Sequence, residues 1–345
     1  YHQFQPLFYQ VATAGLEPAS IVFPLRKAFQ HYDGFHIRMA ELVEIIPRQN
    51  KIITTENVME YDYLVIATGV NTNFFGNKQI EEHAIPMKSV SEALYMRNRF
   101  LQNLEDAYYA DDEEKERLRN IVIVGGGPTG VEVSGAIADM KKYVLSKDYP
   151  ELDFSLMKIF LIEGSSTLLG PMSKPAQQKS QEFLEKMGVN VITGTVVKEY
   201  DGSIALLSNG DYIPTNTLIW AAGVTAGKIK GIPDELLQKG NRIKVNRFNQ
   251  LDGFKNIFAI GDIAFMPTEK YLNGHPQVAS VAIAQGKLLA DNLVKLAKNN
   301  PLTKFEYKDK GSMATVGRKK AVVDLPNWKF QGVFAWHTWN LIHLF

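Results

Sequence analysis

One short string constrains the fold of this chain more than any other. Ile121-Val122-Ile123-Val124 is continuously apolar, and Gly125-Gly126-Gly127-Pro128-Thr129-Gly130 follows at once. A short, uninterrupted apolar run suits a strand buried on both faces of a parallel sheet. The glycine run has the spacing G-x-G-x-x-G. The first glycine permits a tight turn, the second lets backbone approach a pyrophosphate, and the third lets a helix pack close to the strand. Pro128 suits the first turn of the helix that should follow, where a missing N–H costs nothing. The start of that helix offers free N–H groups and a positive dipole end to phosphate oxygens. A dinucleotide site at 125–130 is therefore expected.

The next strand, 158–163, ends in Glu163, where an acid that binds ribose hydroxyls belongs. It lies 163 − 130 = 33 residues past the last glycine, against about 20 in the usual unit. An extended helix and loop over 139–157 would absorb the excess. Gly164-Ser165-Ser166 follows with no nearby cation to pair a 2′-phosphate, so NADH is favoured over NADPH. Glu132 stands two residues after Gly130. One reading makes it a favourable acid in a first helical turn. The other turns it toward the nicotinamide and a second cofactor, where a carboxylate can move a proton. Residues 173–187 read as a helix closed by Gly188, and 189–192 as a strand. Strands alternating with helices imply a doubly wound parallel sheet.

A length of 345 residues suggests two domains and a tail. The strand at 63–67 ends in Ala67-Thr68-Gly69, and the one at 218–221 ends in Ala221-Ala222-Gly223. This weak internal repeat suggests two related nucleotide domains. A further strand runs into Gly261-Asp262. There the glycine would let a second nucleotide pass close by, and the carboxylate would accept a ribityl hydroxyl. A long helix is expected from Pro276 to about Lys298. Its start, near Val278 and Ala279, would set positive dipole against the pyrimidine edge of a flavin. The charged run 111–119 reads as a solvated helix face or linker.

Net charge is +1, so there is no electrostatic case for nucleic acid. Cysteine is absent, which excludes disulfides, thiolate metal sites and any thiol relay of electrons. No metal site is expected. No apolar stretch reaches the roughly 18 residues of a spanning helix. The stretch 333–345 is aromatic-rich and apolar, which suits the water–lipid boundary. A core helix or a homodimer contact is the competing reading of it.

The strings IVIVGGGPTGVE at 121–132, YDYLVIATG at 61–69, NIFAIGD at 256–262 and FQPLFYQVATAGL at 4–16 together resemble type II NADH dehydrogenase, the single-subunit NADH:quinone oxidoreductase. The resemblance covers nearly the whole chain. It implies an α/β fold of two Rossmann-like dinucleotide-binding domains (the FAD/NAD(P)-linked reductase fold) with a C-terminal membrane-associating segment. The expected division is 1–90 with 225–300 for FAD, 91–224 for NADH, and 301–345 for the membrane-associating region. It also implies hydride transfer from NADH to FAD, then two electrons to a membrane quinone without proton pumping. Peripheral placement on the cytoplasmic face of a membrane follows from the same resemblance.

Residue by residue, 125–130 and Glu163 match that family's NADH site, and Glu132 its acid beside the nicotinamide. Gln10, Ala12 and Thr13, with Ala67-Thr68-Gly69 and Gly261-Asp262, match its flavin contacts. Two departures stand out. The family opens with its own strand and glycine-rich turn for the FAD pyrophosphate, which these residues lack. The chain therefore reads as a fragment cut at both ends, expected to hold FAD weakly by itself. The family also carries Ala-Gln-x-Ala-x-Gln near the quinone, where this chain has Ser280 and Ala284 in place of the amides. A different acceptor, or a degenerate NADH-binding protein, stays open as an alternative.

Overall fold

The computed structural model describes residues 1–344; Phe345, the last residue of the expected membrane segment, lies outside the described residues. The chain forms two compact units. One comprises Tyr1–Asp33, Thr72–Gly223 and Gly311–Phe345, and the other Gly34–Asn71 and Val224–Lys310.

The first unit is built on five parallel strands in the order Val189–Thr193, Ile159–Glu163, Ile121–Val124, Thr217–Trp220, Ile85–Pro86. All four residues of the central strand are buried, as are all four of Thr217–Trp220. That burial on both faces is why these strands are continuously apolar rather than alternating. The helix Pro128–Met140 leaves the central strand through the glycine turn. It passes into a wider, π-type turn, Lys141–Leu145, and a last helical turn, Ser146–Asp148. The long insertion before Glu163 is thereby accounted for. The charged run is the helix Asp112–Arg119, started by the Asp111 carboxylate, which accepts the Glu114 N–H at 2.9 Å.

Two elements had no clear signature in the sequence. An antiparallel meander, Val197–Tyr200, Ile204–Leu207 and Tyr212–Pro214, is inserted between two strands of the parallel sheet. A second one, Ser312–Thr315, Ala321–Asp324 and Lys329–Gln331, packs against Pro128–Met140 and the tail helix Val333–Leu344.

The observed division differs from the expected one. Residues 1–33 and 72–90 belong with the nucleotide sheet rather than with 225–300. The physical reason is local: Ile85–Pro86 adds an edge strand beside Thr217–Trp220, and the helix Phe8–Ala12 packs on Val90–Asp106 and Pro128–Met140. The C-terminal region likewise folds onto this unit. Ala335 and Trp339 of the tail helix are buried, while Val333, Phe334, Leu341 and Ile342 are exposed.

The second unit holds the parallel pair Leu64–Ile66 and Ile257–Ala259 and the helix Ala279–Ala297. The helix starts three residues later than expected because Val278 stays extended. Val281 and Leu289 face its core, while Val278 is exposed.

Gly135 marks a close helix contact in the first unit. A Cβ there would lie 2.7 Å from the Gly317 nitrogen and 2.8 Å from the Val316 carbonyl carbon. Alanine in a helix is ordinarily favoured over glycine by about 1 kcal/mol. Backbone cannot yield as a side chain does, so overpacking of roughly 1–3 kcal/mol outweighs that gain. Gly135→Ala should therefore lower the midpoint of denaturant unfolding, and a raised midpoint would contradict this packing.

Candidate nucleotide and flavin sites

The glycine turn closes through its own backbone. Gly125 has φ +109°, and a Cβ on it would lie 2.6 Å from the Ala221 carbonyl. A Cβ on Gly130 would strike the Gly125 carbonyl. Only glycine lets the strand reverse into the helix here. Gly127 differs: nothing lies within 4 Å of a Cβ built on it. Its open side is therefore available to a ligand.

Glu163 ends the neighbouring strand and binds the turn directly. One carboxylate oxygen accepts the Gly126 N–H at 2.5 Å and the other the Ser165 N–H at 2.6 Å. These charge-assisted bonds fix the carboxylate beside the turn. A cavity of about 730 Å³ opens at this point. Gly125, Gly127, Glu163, Ala222 and Gly223 line it, together with Val196, Phe74, Phe75 and Trp220. The last four were not singled out from the sequence. The loop that brings Phe74 and Phe75 here has no signature beyond two adjacent aromatics. Pro128 and Thr129 lie in the first turn of the helix behind the cavity.

Glu132 sits one helical turn further on and is not among the residues that line this cavity. The residue is partly exposed, but its carboxyl is enclosed, and burial pushes its pKa up to about 8. One oxygen accepts the Thr315 N–H at 3.4 Å, which opposes the shift without cancelling it. The Thr315 hydroxyl is buried beside it, outside hydrogen-bonding geometry. Tyr9 is the next neighbour. Burial first, and the charge on Glu132 second, raise its phenol above the usual range. Gln10 donates to the Tyr9 hydroxyl at 3.0 Å, and the Thr13 hydroxyl donates to the Tyr9 carbonyl at 2.9 Å. Ala12 is buried in the same helix contact. Gln10, Ala12 and Thr13 thus gather near Glu132 in the first unit, whereas the other expected flavin contacts lie in the second.

In the second unit, Ala67-Thr68-Gly69 and Gly261-Asp262 end two paired parallel strands. Gly69 has φ +66° with open space where a Cβ would be, and Gly261 has φ +73°. The Gln285 side chain, buried in the following helix, accepts the Gly261 N–H at 2.7 Å. No side chain caps the helix at Val278, and no acid occupies its first turn, so the N–H groups near Ala279 stay free. A cavity of about 390 Å³ is lined by Ile66, Ala67 and Thr68 among others. Open glycines, a free helix start and a nearby carboxylate fit FAD.

Arg242 escaped sequence reasoning. It is buried and donates to the carbonyls of Asp262 at 3.1 Å, Ala264 at 2.6 Å and His275 at 3.0 Å. It ties the Gly261-Asp262 turn to the loop that leads into the helix. Ser280 shares a 2.8 Å hydrogen bond with the Tyr307 hydroxyl, and Ala284 packs on the apolar core of this unit.

A family model described as pyridine nucleotide-disulphide oxidoreductase matches residues 1–286. The type II NADH:quinone oxidoreductase Ndh of Mycobacterium tuberculosis is 31% identical over 100% of this chain and 76% of its own length. A second protein of that organism, NdhA, is 33% identical over 99% of this chain and 76% of its own length. Among solved structures, NDH2 of Plasmodium falciparum in complex with NADH superposes with a TM-score of 0.90 at 21% identity. That match covers 99% of this chain and 87% of the other. The chain belongs to the pyridine nucleotide-disulphide oxidoreductases, and within them to the type II NADH:quinone oxidoreductases. Its lack of cysteine sets it apart from the thiol chemistry in the wider family's name.

Two outcomes follow from this geometry. Gly127→Ala should leave the unfolding midpoint nearly unchanged and weaken NADH binding, as read by fluorescence titration; a large loss of stability would show that the open side is not open. The second concerns Glu132. Its folded pKa lies near 8, above its ordinary 4.5. The folded protein therefore holds this proton more tightly than the unfolded chain. The resulting stability is full below about 4.5 and is lost as pH rises through about 8. Between pH 6 and 9 the native chain should lose on the order of 2 kcal/mol more than Glu132→Gln. Parallel pH profiles of urea midpoints would contradict the enclosed acid.

Proposed function

We propose that this chain oxidises NADH and passes the electrons through FAD to a membrane quinone, without proton pumping. What carries the reading is the identity with two named type II NADH:quinone oxidoreductases over at least 99% of the chain. FAD, when bound, supplies the two-electron chemistry that couples a hydride donor to a quinone.

The residues of the chain do the rest. The 125–130 turn and the start of Pro128–Met140 bind the NADH pyrophosphate through backbone N–H groups. Glu163 accepts from the ribose hydroxyls and repels a 2′-phosphate, which selects NADH over NADPH. Ala67-Thr68-Gly69, Gly261-Asp262 and the helix start at Ala279 hold FAD, and the positive end of that helix favours negative charge on it, while the Val278 N–H before it donates to the Pro276 carbonyl at 3.0 Å. Glu132 is the catalytic acid of this reading. An enclosed carboxyl with a pKa near 8 is protonated at neutral pH and can give up or recover a proton during turnover. Ser280 and Ala284 border the quinone end.

The tail supports peripheral attachment. Among the described residues no helix is long and apolar enough to cross a membrane. Val333, Phe334, Leu341 and Ile342 are nevertheless exposed on Val333–Leu344. The exposed Trp328 adds to them, with its ring 5.8 Å from that of Phe334. We read this face as lying in the lipid interface, on the cytoplasmic side where NADH is available. Its use as a homodimer contact is the competing outcome.

The purified full-length protein should show flavin absorbance that NADH bleaches and a soluble quinone restores. A colourless protein that still binds NADH would overturn the electron-transfer reading. Glu163→Gln should narrow the preference for NADH over NADPH by roughly tenfold, a charge effect of about 1.4 kcal/mol. An unchanged ratio would remove Glu163 from specificity. Flotation with anionic liposomes should fail for Phe334→Asp/Leu341→Asp; retained flotation would move the lipid contact elsewhere.

A further inference from the structure

The wall of the nucleotide cavity contains a feature that the glycine turn and Glu163 do not explain. Phe75 is held in the left-handed region at φ +52° and is 67% exposed, although its ring lines the cavity. Left-handed backbone is uncommon for a bulky residue, and such strain persists only where surrounding structure enforces it. Here the enforcement is visible. The Asn73 side chain accepts the Phe75 N–H at 2.8 Å. The Asn73 carbonyl accepts from the Trp220 indole N–H at 2.8 Å, and the Asn73 N–H bonds the Gly223 carbonyl at 3.1 Å. On the far side, Asn77 donates to the Lys198 carbonyl at 2.7 Å. The loop is pinned at both ends to the sheet unit, and the pins present Phe75 outward.

The rings form a wall. Trp220 lies behind Phe75 with centroids 6.4 Å apart, nearly edge-on, and Phe74 lies 5.8 Å from Trp220. A Cβ on Gly223 would come within 3.2 Å of the Phe75 ring, so only glycine leaves this contact room. Glu163 and Val196 line the same cavity. Glu132, the acid at the nicotinamide end, is not part of this cavity. The base that enters beside Glu163 is therefore the adenine, since Glu163 takes the adenosine ribose.

We infer that Phe75 is the residue on which the adenine of NADH stacks, held in a strained backbone so that the ring is in place before the nucleotide arrives. An aromatic face offered to a base is sequence-cheap and strong: stacking changes affinity by roughly five- to a hundredfold on removal. Preorganisation spares the cost of ordering the loop on binding. This inference rests on the NADH reading above.

The test separates the two. ADP-ribose carries the adenine but no nicotinamide, and reduced nicotinamide mononucleotide carries the nicotinamide alone. Both are titrated into the purified holoprotein by calorimetry. Phe75→Asn removes the ring and keeps a residue that tolerates left-handed backbone. It should bind ADP-ribose roughly tenfold more weakly, bind the mononucleotide as the native chain does, and raise KM for NADH with kcat unchanged. Its melting temperature should equal or exceed the native one, because strain is relieved. Phe75→Trp should restore ADP-ribose affinity. ADP-ribose affinity within twofold of native in Phe75→Asn, or an equal loss for both fragments, would overturn the stacking role alone. Failure of the native chain to bind ADP-ribose or NADH would overturn the nucleotide reading itself.

Discussion

The hydrogen bond from the Gly126 N–H to the Glu163 carboxylate is the interaction on which the rest of the nucleotide unit depends. It joins the turn after one parallel strand to the end of the next, across 37 residues. The bond forms only because both strands are in register, with Ile162 beside Val124, and because the turn has no side chains to hold the backbone away. The same two facts that close the fold therefore place a carboxylate and a set of free N–H groups within reach of one ligand. Fold and binding are here a single geometric condition, so substitutions at Gly125 and Gly130, where a Cβ would meet backbone, should disturb both. Gly127, whose Cβ position is open, separates them.

The two carboxylates of this unit show how environment divides their roles. Glu163 accepts two backbone N–H groups, which fix the carboxylate at the strand end beside the glycine turn. Glu132 is enclosed and accepts a single long bond, so its ionised form is costly and it holds its proton near neutral pH. Neither residue type nor helical position distinguishes them in advance; solvation does. Arg242 is the counterpart in the second unit. Its buried guanidinium is satisfied by three backbone carbonyls, with Asp262 as the nearby countercharge. A buried cation so tied fixes the Gly261-Asp262 turn rather than serving as a mobile charge.

Much of this was legible in the sequence, for a physical reason. The parallel strands are short apolar runs ended by glycine, and glycine with Pro128 admits few alternatives at a strand-to-helix turn. The strands at 64–66, 121–124, 159–163, 217–220 and 257–259 were readable on that ground. The meander at 197–214 and the one at 312–331 were not, because antiparallel strands of three or four residues leave little periodicity to read. The compact units divide the chain differently from the expected domains at 1–33 and 72–90, which pack on the parallel sheet unit through the helix Phe8–Ala12 and the two-residue edge strand Ile85–Pro86. Of the site, Glu163 and the glycines follow from spacing. Phe75 does not, since its role depends on a backbone angle and on Trp220, 145 residues away. Thr315 lies beside Glu132 across 183 residues, and Arg242, only 20 residues from Asp262, has no local pattern that marks it.

Replacing the two family amides by Ser280 and Ala284 makes distinct demands on the surrounding structure. Ser280 and Ala284 lie one turn apart on the helix, so a pair of glutamines there would share one face. Ser280 instead bonds Tyr307, whose ring belongs to a cluster with Tyr271 and His275. His275 is buried, and burial together with Arg242 and Arg247 lowers its pKa, so the cluster is uncharged at neutral pH. Ala284 faces apolar neighbours, where an added amide would need a partner that the core does not supply. The two substitutions are therefore not equivalent. At 280 a hydroxyl remains that can exchange Tyr307 for a quinone carbonyl, while at 284 the polar function is gone and the space is filled by packing. A quinone bound at this end would be met by one hydrogen-bonding side chain and an apolar wall, which favours recognition by shape and ring contact over recognition by paired amides.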